Sequence, residues 1–435
     1  MLKQRHLGRR KFLKTSALGM VSAGLAGTNV WSKDQKENQP TLKIKDYRIL
    51  GRTGFKVSDL AVGSVQEEGL MAAMLDAGIN YIDTAESYPG HHKKIGNVIK
   101  ERDRSKLFIN SKMLMEGDTT KEGLIKRVHQ ALEDLGTDYI DCMMMHLPEN
   151  VDALKHENFH AAMNQLKSEG RIRFVGASHH GSFWFKDSEQ AMDKVLLAAA
   201  EDGRFDVFLF AYNFLQMDRG DRVLDVCKEK NIGTALMKTT PVTNYYRLKS
   251  GVERLEKEGK DIHPLYQEGM KRFKDRADRA EQFIQKYGLK DPQEIRAAAI
   301  KFALSNPHVN TVCCTLRTYD ELDRIVSLSG QKLENRDKAL LSAYKKGCGD
   351  LYCRHACGLC EPQCPSGVPV NTIMRYHHYF NAQGREREAM LKYAHIPGAK
   401  ADVCSQCAGY CEDACPYHVP IQGLLILAHN FLTTA

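Results

Sequence analysis

No stretch of about eighteen apolar residues occurs in the 435-residue chain, so nothing in it reads as a membrane-spanning helix. No G-x-G-x-x-G loop is present, which removes the usual dinucleotide cradle of an open α/β sheet, and no flavin site is evident. The net charge is +8, but part of it sits in the first fifteen or so residues. Beyond them no basic stripe alternates with aromatic residues, so nucleic-acid binding is not expected. Cysteine is plentiful, at thirteen, yet it is not spread as in a disulfide-stapled fold. Cys142, Cys227, Cys313, Cys314 and Cys348 are scattered; the other eight form two tight runs after residue 350. Dense runs of this kind point to metal.

The N-terminus reads as an address. Arg9 and Arg10 open a basic run through Lys14, and a mild Gly/Ala-rich stretch follows from Ser16 to Trp31. Paired arginines before a weakly apolar segment resemble a twin-arginine export signal, which carries proteins already folded and metal-loaded. The alternative is a basic tail on a protein that is not exported. Small residues near Ala26 give no sharp cleavage pattern, so any membrane attachment is expected only through an uncleaved signal. Residues 1–40 are set aside as leader, 41–345 as one domain and 346–435 as a second.

After Lys43, short apolar runs alternate with helical patterns. The runs are Leu60–Gly63, Ile79–Asp83, Leu107–Lys112, Tyr139–His146, Ile172–Ser178, Phe205–Ala211, Ile232–Lys238 and Asn310–Cys314. From the second to the seventh they recur about every thirty residues, the length of one βα unit. Eight such units predict an α/β fold, a (β/α)8 TIM barrel. One helix is legible in detail: Thr119 or Thr120 caps it, Leu124, Ile125, Val128, Leu132 and Leu135 share a face, and Gly136 stops it. Before the eighth run lie a charged helical stretch, about Val252–Tyr287, read as a solvated face or lid, and a barrel helix, Asp291–Leu304.

Barrel chemistry gathers at the C-terminal ends of strands. Those ends carry Asp83, Lys112 and His146, with Tyr88 on the loop after Asp83. The set suits reduction of a carbonyl or its reverse. Charge grows on the carbonyl oxygen as hydride arrives, and a proton must reach it. A tyrosine supplies the proton, a lysine beside it lowers its pKa, an aspartate holds the lysine, and a histidine orients the oxygen. Taken singly, each of these residues is more often structural.

Gly78-Ile-Asn-Tyr-Ile-Asp-Thr-Ala-Glu-Ser-Tyr88 resembles the signature of the aldo-keto reductases, and Leu135-Gly-Thr-Asp-Tyr-Ile-Asp141, running into His146, is similar to their fourth strand. Gly176-Ala-Ser178 and Tyr212-Asn213 resemble the fifth- and sixth-strand motifs. The resemblance covers about residues 46–330. It implies a catalytic tetrad of Asp83, Tyr88, Lys112 and His146, with Tyr88 as general acid/base. It also implies a nicotinamide cofactor, NADP(H) or NAD(H), across the barrel top; Ser178, His179 and Lys238 are candidate contacts, and Arg317 stands close enough in the chain to reach a phosphate. The departures fall on that cofactor: Ser178-His179 stands for Ser-Asn, Leu209 for a glutamine that holds the carboxamide, and Cys314-Thr315 for Lys-Ser.

The cysteine runs are Cys353-x3-Cys357-x2-Cys360-x3-Cys364-Pro365 and Cys404-x2-Cys407-x3-Cys411-x3-Cys415-Pro416. Each is close to the bacterial ferredoxin run, with one gap a residue longer. Zinc sites instead use two short pairs separated by a dozen or more residues. Two [4Fe–4S] clusters are therefore expected on a small, mainly helical segment resembling the dicluster ferredoxins. If the fourth cysteine crosses over as in two-cluster ferredoxins, Cys353, Cys357, Cys360 and Cys415 hold one cluster, and Cys404, Cys407, Cys411 and Cys364 the other. Spacing alone does not show the exchange. The residues between the runs, Val370–Tyr393, read as helix, and Cys348 as structural.

The expected function is an exported oxidoreductase acting on a small carbonyl or alcohol, sugar-like or other, with the clusters relaying electrons to a redox partner protein. Two alternatives stand beside it. One is an electron-transfer or accessory protein with a degenerate barrel; the other is an NADPH reductase whose clusters only brace the fold.

Overall fold

The computed structural model describes residues 42–180, 190–241, 249–289 apart from 251, 255 and 258–263, and 291–433. The twin-arginine segment lies outside the described residues. Leu42–Ala435 forms one compact unit.

All eight expected runs are strands, and they close into a parallel barrel. A short antiparallel hairpin precedes them, β1 (Tyr47–Ile49) and β2 (Lys56–Ser58). Its Leu50 and Val57 are buried with Tyr81, Phe108, Met144 and Leu209 in the barrel interior. The barrel strands are β3 (Leu60–Val62), β4 (Tyr81–Asp83), β5 (Phe108–Met113), β6 (Ile140–His146), β7 (Ile172–His179), β8 (Val207–Ala211), β9 (Gly233–Met237) and β10 (Thr311–Cys314). β10 pairs with β3 to complete the ring.

The outer helices are α1 (Glu68–Asp76), α2 (His91–Ile99), α3 (Lys121–Leu135), α4 (Glu157–Ser168), α5 (Met192–Asp202) and α6 (Met217–Glu229). Helix α3 follows the sequence pattern: the Thr120 hydroxyl accepts from Gly123 N, and Gly136 ends the helix in the left-handed region. The charged stretch gives α7 (Pro264–Lys286), and α8 (Pro292–Ser305), α9 (Tyr319–Val326) and α10 (Asn335–Cys348) follow.

The C-terminal segment is helical, with α11 (Val370–Gln383), α12 (Glu386–Ala394), α13 (Tyr410–Asp413) and α14 (Ile421–Thr433). The single helix expected over 370–393 is broken. Gly384 adopts φ +60°, a left-handed cap that ends α11, and α12 starts afresh two residues later. Helix α7 is more than a solvated face. A Cβ at its Gly269 would meet Gly423 O at 3.1 Å and Ile426 Cγ2 at 3.0 Å, so α14 lies directly against it. Among the described residues, no helix is long and apolar enough to cross a membrane.

Candidate active site at the barrel mouth

The register of the parallel strands sets the polar strand ends in a staggered series, with Lys112 opposite Met144. Asp83 lies opposite Asn110, and His146 opposite Ser178. Lys112 donates to Asp83 Oδ1 at 2.6 Å and to the Thr84 carbonyl at 2.5 Å, and Asn110 Nδ2 donates to the same carboxylate oxygen at 2.8 Å. Lys112 is 1% exposed, so this ion pair is cut off from water.

The loop that carries Tyr88 is pinned from several directions. His91 lies 2.8 Å from the Thr84 hydroxyl through Nδ1 and 2.7 Å from the Val65 carbonyl through Nε2. The Glu86 carboxylate accepts from Leu114 N at 2.8 Å and from Arg127 Nε at 3.0 Å. Tyr88 N donates to Ala85 O at 3.0 Å, closing the turn. The Lys112 ammonium lies 5.2 Å from the centre of the Tyr88 ring.

Electrostatics depart from the sequence expectation at one point. Tyr88 was expected to have its pKa lowered by the lysine. Instead, burial and then the nearby Asp83 push it up. Lys112 is committed to Asp83 and the Thr84 carbonyl, and the cation that opposes the rise is Arg385, from the C-terminal segment. Tyr88 therefore keeps its proton in the neutral range, as a proton donor to a carbonyl must. His146 is held well below the usual histidine range by burial first and then by Lys112. Its imidazole is thus neutral.

A cavity of about 190 Å³ opens over these groups. Asp83 and Tyr88 line it, as do Lys238 and Arg317; Lys112, His146, Ser178 and His179 do not. Ser178 and His179 are wholly buried, and Leu209, paired with Ser178, packs into the apolar barrel interior. Lys238 follows β9 with a left-handed backbone, φ 55°. Arg317 lies against the C-terminal segment: a Cβ at Gly384 would meet its guanidinium at 3.1 Å.

Sequence reasoning missed the roof of the cavity, which the C-terminal segment provides. Tyr352, His355, His378, Tyr379 and Arg385 all line it. The segment is fastened to the loop after β8. Gln216 Nε2 donates to His355 O at 2.7 Å, and Gln216 Oε1 accepts from His355 N at 3.0 Å. Asn213 Nδ2 donates to the Tyr352 hydroxyl at 3.0 Å. Two signals were available: His355 lies between Cys353 and Cys357, and Arg375-Tyr-His-His-Tyr379 is an unusually polar, aromatic run for a helix joining cysteine motifs.

The cysteines surround two further hollows. Cys353, Cys357, Cys360 and Cys415 line one; Cys364, Cys404, Cys407 and Cys411 line the other. Each set takes three thiols from one run and the fourth from the other. Among the described residues, no group of three or more Cys, His, Asp or Glu side chains is close enough to hold a single metal ion.

A family model described as "Aldo/keto reductase family" matches residues 49–344. The chain is 31% identical over 123 residues to methylglyoxal reductase DkgB of Salmonella typhi, covering 28% of this chain and 43% of that protein. It is 32% identical over 152 residues to L-galactose dehydrogenase of Arabidopsis thaliana, covering 30% of this chain and 47% of that protein. The chain spans about half the length of the curated relatives it matches. The solved holo form of aldo-keto reductase AKR11C1 from Bacillus halodurans aligns with a TM-score of 0.48 at 20% identity, over 69% of this chain and 95% of that one.

Proposed function

The chain belongs to the aldo/keto reductase family, and from that premise we propose that it is an exported oxidoreductase that interconverts a small carbonyl compound and an alcohol, with two [4Fe–4S] clusters in its C-terminal segment. The observation that carries the reading is the buried Lys112–Asp83 pair beneath Tyr88, at the strand ends where barrel chemistry is done. Reduction of the carbonyl takes two electrons and two protons, or a hydride and a proton, from an external donor; in that direction Tyr88 gives the proton that reaches the carbonyl oxygen. Lys112 and Asp83 fix the polar floor under the ring, while His146 is buried off the cavity lining.

The cysteine quartets fit cubane clusters. Each hollow is lined by four thiols, three from one run and the fourth from the other, as in two-cluster ferredoxins, whereas a zinc site typically draws on two short, well-separated pairs. When bound, such clusters would supply single-electron transfer toward a redox partner protein.

Members of this family use NAD(P)H. Here the residues assigned to the carboxamide fit it poorly: Ser178 and His179 lie off the cavity, and Leu209 has no donor. No step is routed through that cofactor. The same observation favours the second reading, an accessory iron–sulfur protein whose barrel does not turn over. Arg9 and Arg10 before the Gly/Ala-rich stretch support the export part of the proposal.

The test is Tyr88→Phe in protein purified without oxygen, assayed on a panel of aldehydes and ketones with a reduced viologen dye as donor. Turnover should fall by about 10²-fold or more while iron and sulfide content stay unchanged. Equal turnover in the variant would remove Tyr88 as the proton donor, and no turnover in either protein would move the assignment to the accessory reading. Conservative Arg9→Lys and Arg10→Lys changes together should hold the protein on the cytoplasmic side in cell fractionation.

A further inference from the structure

Two cations reach the cavity beside Tyr88, and each is anchored on the same ring. Lys238 Nζ lies 5.0 Å from the centre of the Tyr379 ring, and the Arg385 guanidinium lies 4.9 Å from it. Arg385 also lies 5.7 Å from the centre of the Tyr88 ring. The two come from distant parts of the chain. Lys238 ends the β9 run, whereas Arg385 follows the Gly384 cap of α11. Their meeting is thus a product of the C-terminal segment closing over the barrel.

Arg385 is partly balanced. The Glu388 carboxylate accepts from its Nε and Nη2, each at 2.6 Å, and also pairs with Lys392 at 3.4 Å. Asp83 is taken by Lys112. Among the described residues, no carboxylate pairs with Lys238. Burial, together with the cations Arg375 and Arg385, pushes its pKa well down. Of the neighbouring side chains, His180 is held toward its neutral form by burial. The reacting end of the cavity thus offers Lys238 no carboxylate partner among the described residues, and an anion entering beside it would favour the lysine's charged form. Such an arrangement is unfavourable until an anion enters, and an anion there has few competing solvent contacts.

Resting on the reading above, we propose that the substrate itself is an anion: a hydroxy or oxo compound whose acid group, carboxylate or phosphate ester, lies between Lys238 and Arg385 while its carbinol or carbonyl carbon faces Tyr88. A planar guanidinium matches a carboxylate through paired N–H donors, and the lysine adds a point charge on the other side. Arg317 lines the same cavity; its guanidinium lies against Gly384 and its backbone N–H donates to Glu321 at 2.8 Å.

The experiment is isothermal titration of the full-length, cluster-loaded protein with three probes of one skeleton: D-glucuronate, D-glucose 6-phosphate and D-glucose. At least one anionic probe should bind about tenfold or more tightly than glucose, and the tighter of the two identifies the acid group as carboxylate or phosphate. Lys238→Met, close in shape and free of a buried charge, should keep its melting temperature and lose that preference. Arg385→Met should weaken the anion and leave glucose unaffected. Equal affinity for all three probes, no binding of any, or an undiminished preference in Lys238→Met would overturn the proposal. Tyr88→Phe separates it from the catalytic reading: the variant should bind the anion as wild type does, whether or not turnover depends on Tyr88.

Discussion

Lys112 Nζ sits 2.6 Å from Asp83 Oδ1 in a pocket that leaves the lysine 1% exposed, so the two charges answer to each other and not to solvent. Removing one partner strands the other. Lys112→Met should destabilise the fold by about 3–5 kcal/mol, because the Asp83 carboxylate stays buried with only Asn110 and nearby dipoles to meet it. The double variant Lys112→Met/Asp83→Asn should recover most of that loss while turnover stays low in both. Denaturant midpoints and steady-state rates, set out as a double-mutant cycle, separate the two effects. If the double variant were as unstable as the single, the pair would not be the source of the loss.

The crossed cysteine sets make a prediction that iron analysis can read. Cys353 and Cys415 line one hollow, whereas Cys364 lines the other. Cys353→Ala with Cys415→Ala should therefore damage a single cluster and leave about four irons per chain. Cys353→Ala with Cys364→Ala should damage both and leave fewer. A run-by-run arrangement would reverse the order, and that result would reject the crossed sets.

Much of the barrel was legible because each strand is a short apolar run and each helix has a stripe of period 3.6, a pattern that local sequence imposes. The tetrad was legible for a related reason: strand ends mark the chemical face, and Asp83, Lys112 and His146 stand at three of them. The basal hairpin escaped notice because β1 and β2 have three residues each, too few to show alternation. The break after α11 turns on one glycine in a polar stretch, Gln383-Gly384-Arg385, where pattern is weak. The roof could not be read at all from periodicity. It depends on partners such as Gln216 and His355, 139 positions apart, whose meeting is a tertiary event.

That Gln216–His355 contact is itself testable. The side-chain amide satisfies both the N–H and the C=O of one buried backbone residue. Gln216→Leu leaves both without a partner, at a cost of about 1–3 kcal/mol for each group. The melting temperature should fall, and hydrogen exchange should quicken first across residues 352–357. Since Tyr352 and His355 line the cavity, anion binding should weaken in parallel. A loss of stability with unchanged exchange in that stretch would mean that the segment is held by other contacts.

A pH effect is expected at a buried histidine outside the cavity lining. His92, on α2, lies 2.9 Å from the Ser111 hydroxyl through Nε2, and burial first, then His91, lowers its pKa to about 4. In the unfolded chain the same group titrates near 6.5, so between these values the unfolded state binds the extra proton. The contribution to stability is complete above about pH 6.5 and is lost as pH falls toward 4; by pH 5 the loss is about 2 kcal/mol. His92→Gln can still meet Ser111 but does not titrate. Both proteins carry the same cysteines, so acid damage at those sites should be common to the two and cancel in the comparison. Urea midpoints at pH 7.5 and pH 5 should therefore drop further in wild type than in the variant. Parallel drops would show that His92 is protonated as readily in the fold as out of it, and that its burial does not govern its charge.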